Sequence, residues 1–237
     1  MIIKVILLIS FLAVGIIPAA VGATPIDALA TTLAPDFSLD ADLSIGGCSL
    51  NKVSPPLNYT SPKLDGPSPG LSLKYVALGR GTQNYTCSKA ASNVVPTSIG
   101  AVATLFDASC LAACRPDILN AMPAVLVQIP DDAAAAAGDV SGILLADHYF
   151  ADNSTPTFDF RPYGHPDWIQ AKRLQGVPAP ANSIPGSVPW LKLGYKAGSG
   201  IKEVYRVFTA GGNPPANCEN QTSTLEVDYA AQYWFYG

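Results

Sequence analysis

The sequence predicts an all-β fold with minor α content: a single-domain antiparallel β-sandwich or jelly-roll-like arrangement with a loop-rich N-terminal lead-in. Three observations carry this. Apolar and polar residues alternate with a period of two in run after run. Gly and Pro clusters separate the runs. Helical patterning is confined to one stretch, which leaves sheets to bury the apolar faces. Hydrophobic residues make up 49% of the 237-residue chain and charged residues only 14%. That composition supports a packed core and argues against disorder.

The chain opens with Lys4, the apolar run Val5–Val14 and the small residues Val21-Gly22-Ala23. This is the three-part layout of a secretory signal peptide over residues 1–23. A spanning helix needs about 20 apolar residues, and Gly15 and Pro18 interrupt this one early. Cleavage after Ala23 fits best, with Ala28-Leu29-Ala30 as a second site. The terminal Tyr233-Trp234-Phe235-Tyr236-Gly237 lacks a lipid-anchor pattern. The expected product is secreted and extracellular, without membrane attachment after cleavage.

Residues 24–70 read as a Pro/Ser-rich extended lead-in packed on the domain, with one short strand at Phe37–Leu43. Pro55, Pro56, Pro62, Pro67 and Pro69 exclude helix and central strand there. Residues 71–237 form the β-rich domain. Leu71–Cys87 alternates on both sides of Gly79-Arg80-Gly81, which predicts a hairpin. Gly100–Asp107 is the next strand. Ala108–Ala121 is the best helix candidate, and Pro116 allows only a two-part helix. Val125–Ile129 reads as a strand. Asp131-Asp132 before Ala133–Ala137 and Gly138 reads as one short capped helical turn, or a loop. Ile143–Phe150, Thr157–Phe160, Trp168–Arg173, Val188–Tyr195, Lys202–Thr209 and Leu225–Tyr236 complete the strands.

Export changes how cysteine and asparagine are read. Five cysteines predict two disulfides and one spare thiol. Spacing does not fix the pairing; Cys87–Cys110 and Cys48–Cys218, with Cys114 free, is the working expectation. Cys110-x3-Cys114 with two histidines is poor zinc spacing, so no metal is expected. Asn58, Asn84, Asn153 and Asn220 each begin a glycosylation sequon. A net charge of −4 becomes more negative once Lys4 leaves, which disfavours nucleic acid.

Apparent catalytic motifs fail on chemistry. Gly79-Arg80-Gly81 lacks a third glycine and a following helix, so no dinucleotide cofactor is expected. Gly66-Pro67-Ser68-Pro69-Gly70 spells a nucleophile elbow, but Pro69 has no N–H to offer an oxyanion. His148 falls on the face of Leu144 and Phe150, opposite Asp147 and Tyr149. Paired with a carboxylate it is an acid–base candidate, and His165 with Asp147, Asp152 or Asp167 is the wider set, which local spacing does not bring together. Asp107, Asp147, Asp159, Glu203, Glu226 and Asp228 are candidate acids for glycoside hydrolysis, and none is singled out. Tyr163, Trp168 and Trp190 lie near loops, where an aromatic ring can stack on a ligand.

Four runs carry a family likeness: Tyr75–Cys87 (YVALGRGTQNYTC), Gly100–Asp107 (GAVATLFD), Val188–Leu193 (VPWLKL) and Tyr229–Tyr236 (YAAQYWFY). They resemble a large family of fungal secreted proteins catalogued as a domain of unknown function. The likeness spans about Leu71 to Tyr236, with His148 in the family's usual place. Members are often labelled malate dehydrogenase, a label this sequence does not support, because it lacks a Gly-rich βα turn and alternating β/α units. The resemblance implies a fungal extracellular protein with a β-rich fold and carries over no catalytic residue. The expected role is non-catalytic binding of a cell-wall glycan or another extracellular protein through Tyr163, Trp168 and Trp190. The alternative is a secreted carbohydrate-active or other hydrolytic enzyme using His148 with a carboxylate.

Overall fold

The computed structural model describes residues 48–237. The expected signal peptide, residues 24–47 of the lead-in and the expected strand at Phe37–Leu43 lie outside the described residues.

Eight strands follow one another: β1 (Leu73–Thr86), β2 (Thr97–Asp107), β3 (Leu144–Phe150), β4 (Pro156–Asp159), β5 (Trp168–Val177), β6 (Trp190–Ser199), β7 (Glu203–Gly211) and β8 (Thr224–Tyr236). Each pairs antiparallel with the next, and β8 returns to β1, so the sheet is a closed barrel. This corrects the sandwich or jelly-roll expectation. Alternation with period two serves both architectures, because each has a buried and an outer face. What separates them is one long-range pairing, from Leu73 opposite Tyr236 to Thr86 opposite Thr224. That ladder removes the two edges a sandwich would leave open.

Gly79-Arg80-Gly81 is the second correction. It is not a turn: β1 runs through it for 14 residues. A Cβ at Gly79 would come within 2.6 Å of Tyr233 Cε2, and one at Gly81 would overlap the Val102 carbonyl and Ala103. These positions stay bare so that neighbouring strands and an interior ring can approach.

We call the end where β1 starts the lower rim and the end where it stops the upper rim. At the lower rim the chain leaves β2 and forms α1 (Ser109–Cys114), α2 (Pro116–Leu126) and α3 (Asp131–Ser141). Pro116 opens α2, where its missing N–H costs nothing. The expected strand at Val125–Ile129 is instead the end of α2 and the turn after it. Leu119 and Leu126 are seven apart and both buried, a helical spacing. The single helical turn or loop expected at Asp131–Gly138 is a longer helix of 11 residues, closed by Gly142 at φ +65°.

Two apolar layers result. Leu105, Phe158, Phe160, Ile169, Tyr229, Tyr233 and Phe235 fill the barrel. Val76, Leu78, Val207, Ala230 and Trp234 point outward beneath Leu119, Leu126 and Leu64. β8 is therefore buried on both faces, and its outward Gln232 must be satisfied inside. Gln232 Nε2 donates to Leu119 O and Asn120 Oδ1, each at 3.0 Å, and its Oε1 accepts from Trp234 Nε1 at 3.1 Å. Outside β5–β7, the segment before β1 is tied down by backbone carbonyls. Tyr205 Oη donates to Asp65 O at 2.9 Å and Lys192 Nζ to Gly66 O at 2.7 Å.

The disulfides are Cys48–Cys110 and Cys87–Cys218, and Cys114 is free and exposed. This corrects the expected pairing of Cys87 with Cys110 and Cys48 with Cys218. The reason is β1. A turn at Gly79–Gly81 would return Cys87 to the lower rim, but the unbroken strand carries it to the upper rim. Cys110 follows β2 at the lower rim. Cys87 instead meets Cys218 in the β7–β8 connection, where Cys87 N–H donates to Ser223 O and Cys218 N–H to Val94 O.

Candidate functional site

His148 points into the barrel and is 4% exposed. Its ring lies parallel to Phe158 at 4.2 Å and tilts against Phe150 and Tyr233. Nδ1 donates to Thr157 O at 2.9 Å. Burial pushes its pKa down to about 4, and the carbonyl bond offsets this only in part. Asp147 faces out of the same strand, so the expected His–carboxylate pair is not assembled: the hydrogen bond His148 makes is to backbone.

Trp190 is also buried, at 0% exposure, in the layer outside the barrel. Its ring packs on Phe208 at 5.1 Å. This removes it from the expected ligand platform and corrects that expectation. Sequence placed Trp190 near a loop; Phe208 of the neighbouring strand β7 packs against it.

Tyr163 and Trp168 are both half-buried beside the outer wall of β3–β4–β5, Tyr163 on Asp147 and Trp168 under Arg161. The turn Asp159–Gly164 builds the site. Asp159 Oδ1 accepts from the Arg161 N–H at 3.1 Å, Pro162 fixes the next residue, and Gly164 closes the turn at φ +85°. The turn aims Arg161 back over the sheet. Its Nε and Nη2 donate to the two Asp159 oxygens, each at 2.8 Å. The guanidinium carbon lies 4.9 Å from the Trp168 ring centroid. The Arg161 hydrogen bond holds the Asp159 carboxyl below its usual range. Beside it, Tyr163 Oη donates to Asp147 Oδ1 at 2.8 Å, and burial followed by that bond pushes its pKa up to about 12. Tyr149, outward on β3, is 37% exposed. Sequence reasoning missed Arg161 and Tyr149. The Asp-x-Arg-Pro-x-Gly string was a readable signal for the turn, and strict alternation already put Tyr149 outside.

The candidate acids divide in the same way. Asp147 and Asp159 are direct cross-strand partners, but each is already engaged, by Tyr163 and by Arg161. Asp107 caps the Ser109 N–H, Asp228 pairs with Arg80, and Glu203 with Lys192. Glu226 stands exposed on β8. Among the described residues no cluster of three His, Cys, Asp or Glu side chains has metal-holding geometry. No described helix is long and apolar enough to cross a membrane. Asn58, Asn153 and Asn220 are exposed, and Asn84 is half-buried with its Oδ1 accepting from Thr82 Oγ1 at 2.8 Å. Asn84, Asn153 and Asn220 lie toward the upper rim, and Asn58 lies in the segment before β1. The Arg161 turn at the lower rim carries none.

The family whose model matches is described as "Protein of unknown function (DUF3455)", and the match covers residues 67–237, the whole barrel. No curated protein and no solved structure matches the chain.

Proposed function

The chain belongs to the family described as Protein of unknown function (DUF3455), and from that premise we propose that it is a secreted glycoprotein of fungal origin that binds an extracellular protein partner without catalysis. The part of the β3–β4–β5 wall around the Arg161 turn is its binding face. The observation that carries this reading is the Arg161–Trp168 stack, locked by two hydrogen bonds from Arg161 to Asp159.

Trp, Tyr and Arg are the residues that dominate protein interfaces. Here all three types stand on rigid strands and one short turn. Arg161 is held by both Asp159 oxygens and its side chain is still 52% exposed. A side chain ordered in advance loses less entropy on binding. The same stack weighs against a sugar: the guanidinium covers a Trp168 face that a pyranose ring would use. The absence of a sequon from the Arg161 turn keeps attached glycans away from it. Two disulfides among the described residues fit an oxidising destination.

The test is retention. The glycosylated protein is immobilised and exposed to extracellular proteins of the producing organism, beside a glycan array. The expected result is saturable retention of a discrete protein, lost in Trp168→Ala and in Arg161→Ala and kept in Leu174→Ser. Array binding without a retained protein, or equal retention by all variants, overturns the reading.

A further inference from the structure

The geometry points to a second site: the groove beneath the β5–β6 connection takes a small organic acid with an apolar body, and Arg173 is its charge partner. The groove measures about 580 Å³ and lies at the upper rim, away from the Arg161 turn. Small-molecule sites fall in this size range. Pro178, Pro180, Ile184 and Pro185 supply its apolar lining, and Asn213 a polar edge. Four prolines in one connection, counting Pro189, restrict the backbone before any ligand arrives.

Charge selects the ligand class. Arg173 is the one charged side chain that lines the groove, in a chain whose net charge is −4. No Asp or Glu lines it, and among the described residues Arg173 forms no ion pair. Arg173 is solvent-exposed where it lines the groove. It folds back over Gly176, where a Cβ would overlap its Nη2 and lie 2.8 Å from Cζ. The bare glycine is thus a seat for the guanidinium, which lines the groove from there. A guanidinium matches a carboxylate with two parallel hydrogen bonds. Asn213 is fixed at the polar edge, since its Nδ2 donates to Ser187 O at 3.0 Å. An acid whose carboxylate meets Arg173 lays its body across the proline rings.

Benzoate is the probe, and benzamide its neutral isostere. Titration of the full secreted protein is followed by NMR at the amides of residues 176–189. Benzoate is expected to shift them saturably and to bind about tenfold more tightly than benzamide, the ratio one charge-assisted hydrogen bond supplies. Arg173→Gln should erase that preference. Gly176→Ala keeps the charge and moves the seat, so its preference should fall between the two. Gly176 is not in a left-handed conformation, so alanine there is tolerated by the backbone. Galacturonate carries its carboxylate on a polar ring and should bind more weakly than benzoate. Equal binding of benzoate and benzamide, an Arg173→Gln variant that keeps the preference, or galacturonate binding more tightly than benzoate overturns the assignment. So does benzoate at tens of millimolar that leaves residues 176–189 unmoved.

Discussion

Arg161 lies across the Trp168 ring at 4.9 Å while gripping both oxygens of Asp159. The two residues are seven apart in sequence and meet because the turn between β4 and β5 folds one over the other. Trp168 is part of a surface, and its near neighbour in sequence type, Trp190, is part of the interior. Their substitutions therefore separate.

Trp190→Ala should lower unfolding free energy by about 3–5 kcal/mol, the usual cost of deleting a buried aromatic. Trp190→Phe should cost less, because the indole Nε1 is buried without a partner and its loss removes an unsatisfied donor. Trp168→Ala should stay within about 1 kcal/mol. Urea unfolding of the three variants decides this. A Trp168→Ala loss as large as that of Trp190→Ala would contradict the assignment of the two rings.

Acid should expose His148. An unfolded histidine takes its proton near pH 6.5, whereas folded His148 resists protonation down to about 4. Below pH 6.5 the unfolded chain binds the additional proton, so stability falls as pH drops toward 4 and is unaffected by this group above 6.5. Between pH 7 and 5 the loss is about 2 kcal/mol. Denaturant midpoints at the two pH values measure it, and His148→Phe should flatten the difference. A slope that persists in the variant assigns it to other groups.

Much of the β framework was legible in the sequence, because alternation is a local property. β3, β4, β5, β7 and β8 stand within a few residues of where the pattern puts them. Closure was not legible. Pairing Leu73 with Tyr236 joins the two ends of the domain, and no local signal reports it. Gly79 and Gly81 were misleading for a physical reason: a bare Cα serves a turn and a crowded barrel interior alike. That one ambiguity also misplaced Cys87. Loop position put Tyr163 and Trp168 near the surface, and both are half-buried. It failed for Trp190, which Phe208 of the neighbouring strand β7 packs against.

Glycine substitutions test closure. Gly81→Ala places a methyl against the Val102 carbonyl and the Ala103 backbone, which cannot rotate away. It should destabilise by about 1–3 kcal/mol or more, as overpacking does. Gly66→Ala meets nothing within 4 Å and should stay within about 0.5 kcal/mol. Thermal melts compare them. Equal melting temperatures would contradict a continuous β1.

Peptide mapping under non-reducing conditions should give Cys48–Cys110 and Cys87–Cys218, with one thiol, Cys114, alkylated before denaturation. Opening Cys87–Cys218 by a double Ser substitution frees a separation of 131 residues. The chain-entropy treatment assigns such a bridge about 4–5 kcal/mol. Recovery of Cys87 linked to Cys110 would refute the strand path.

The proposed binding face is tested most directly by a photo-crosslinking residue, benzoylphenylalanine, placed at Tyr149 and, as a control, at Leu174; these side chains are 37% and 48% exposed. Irradiation takes place in the extracellular medium of the producing cells. Position 149 should yield one protein-sized adduct that Trp168→Ala abolishes, and position 174 should yield none. The same adducts from both positions, or an adduct that glycosidases remove and proteases do not, would contradict a protein-binding face at Arg161 and Trp168.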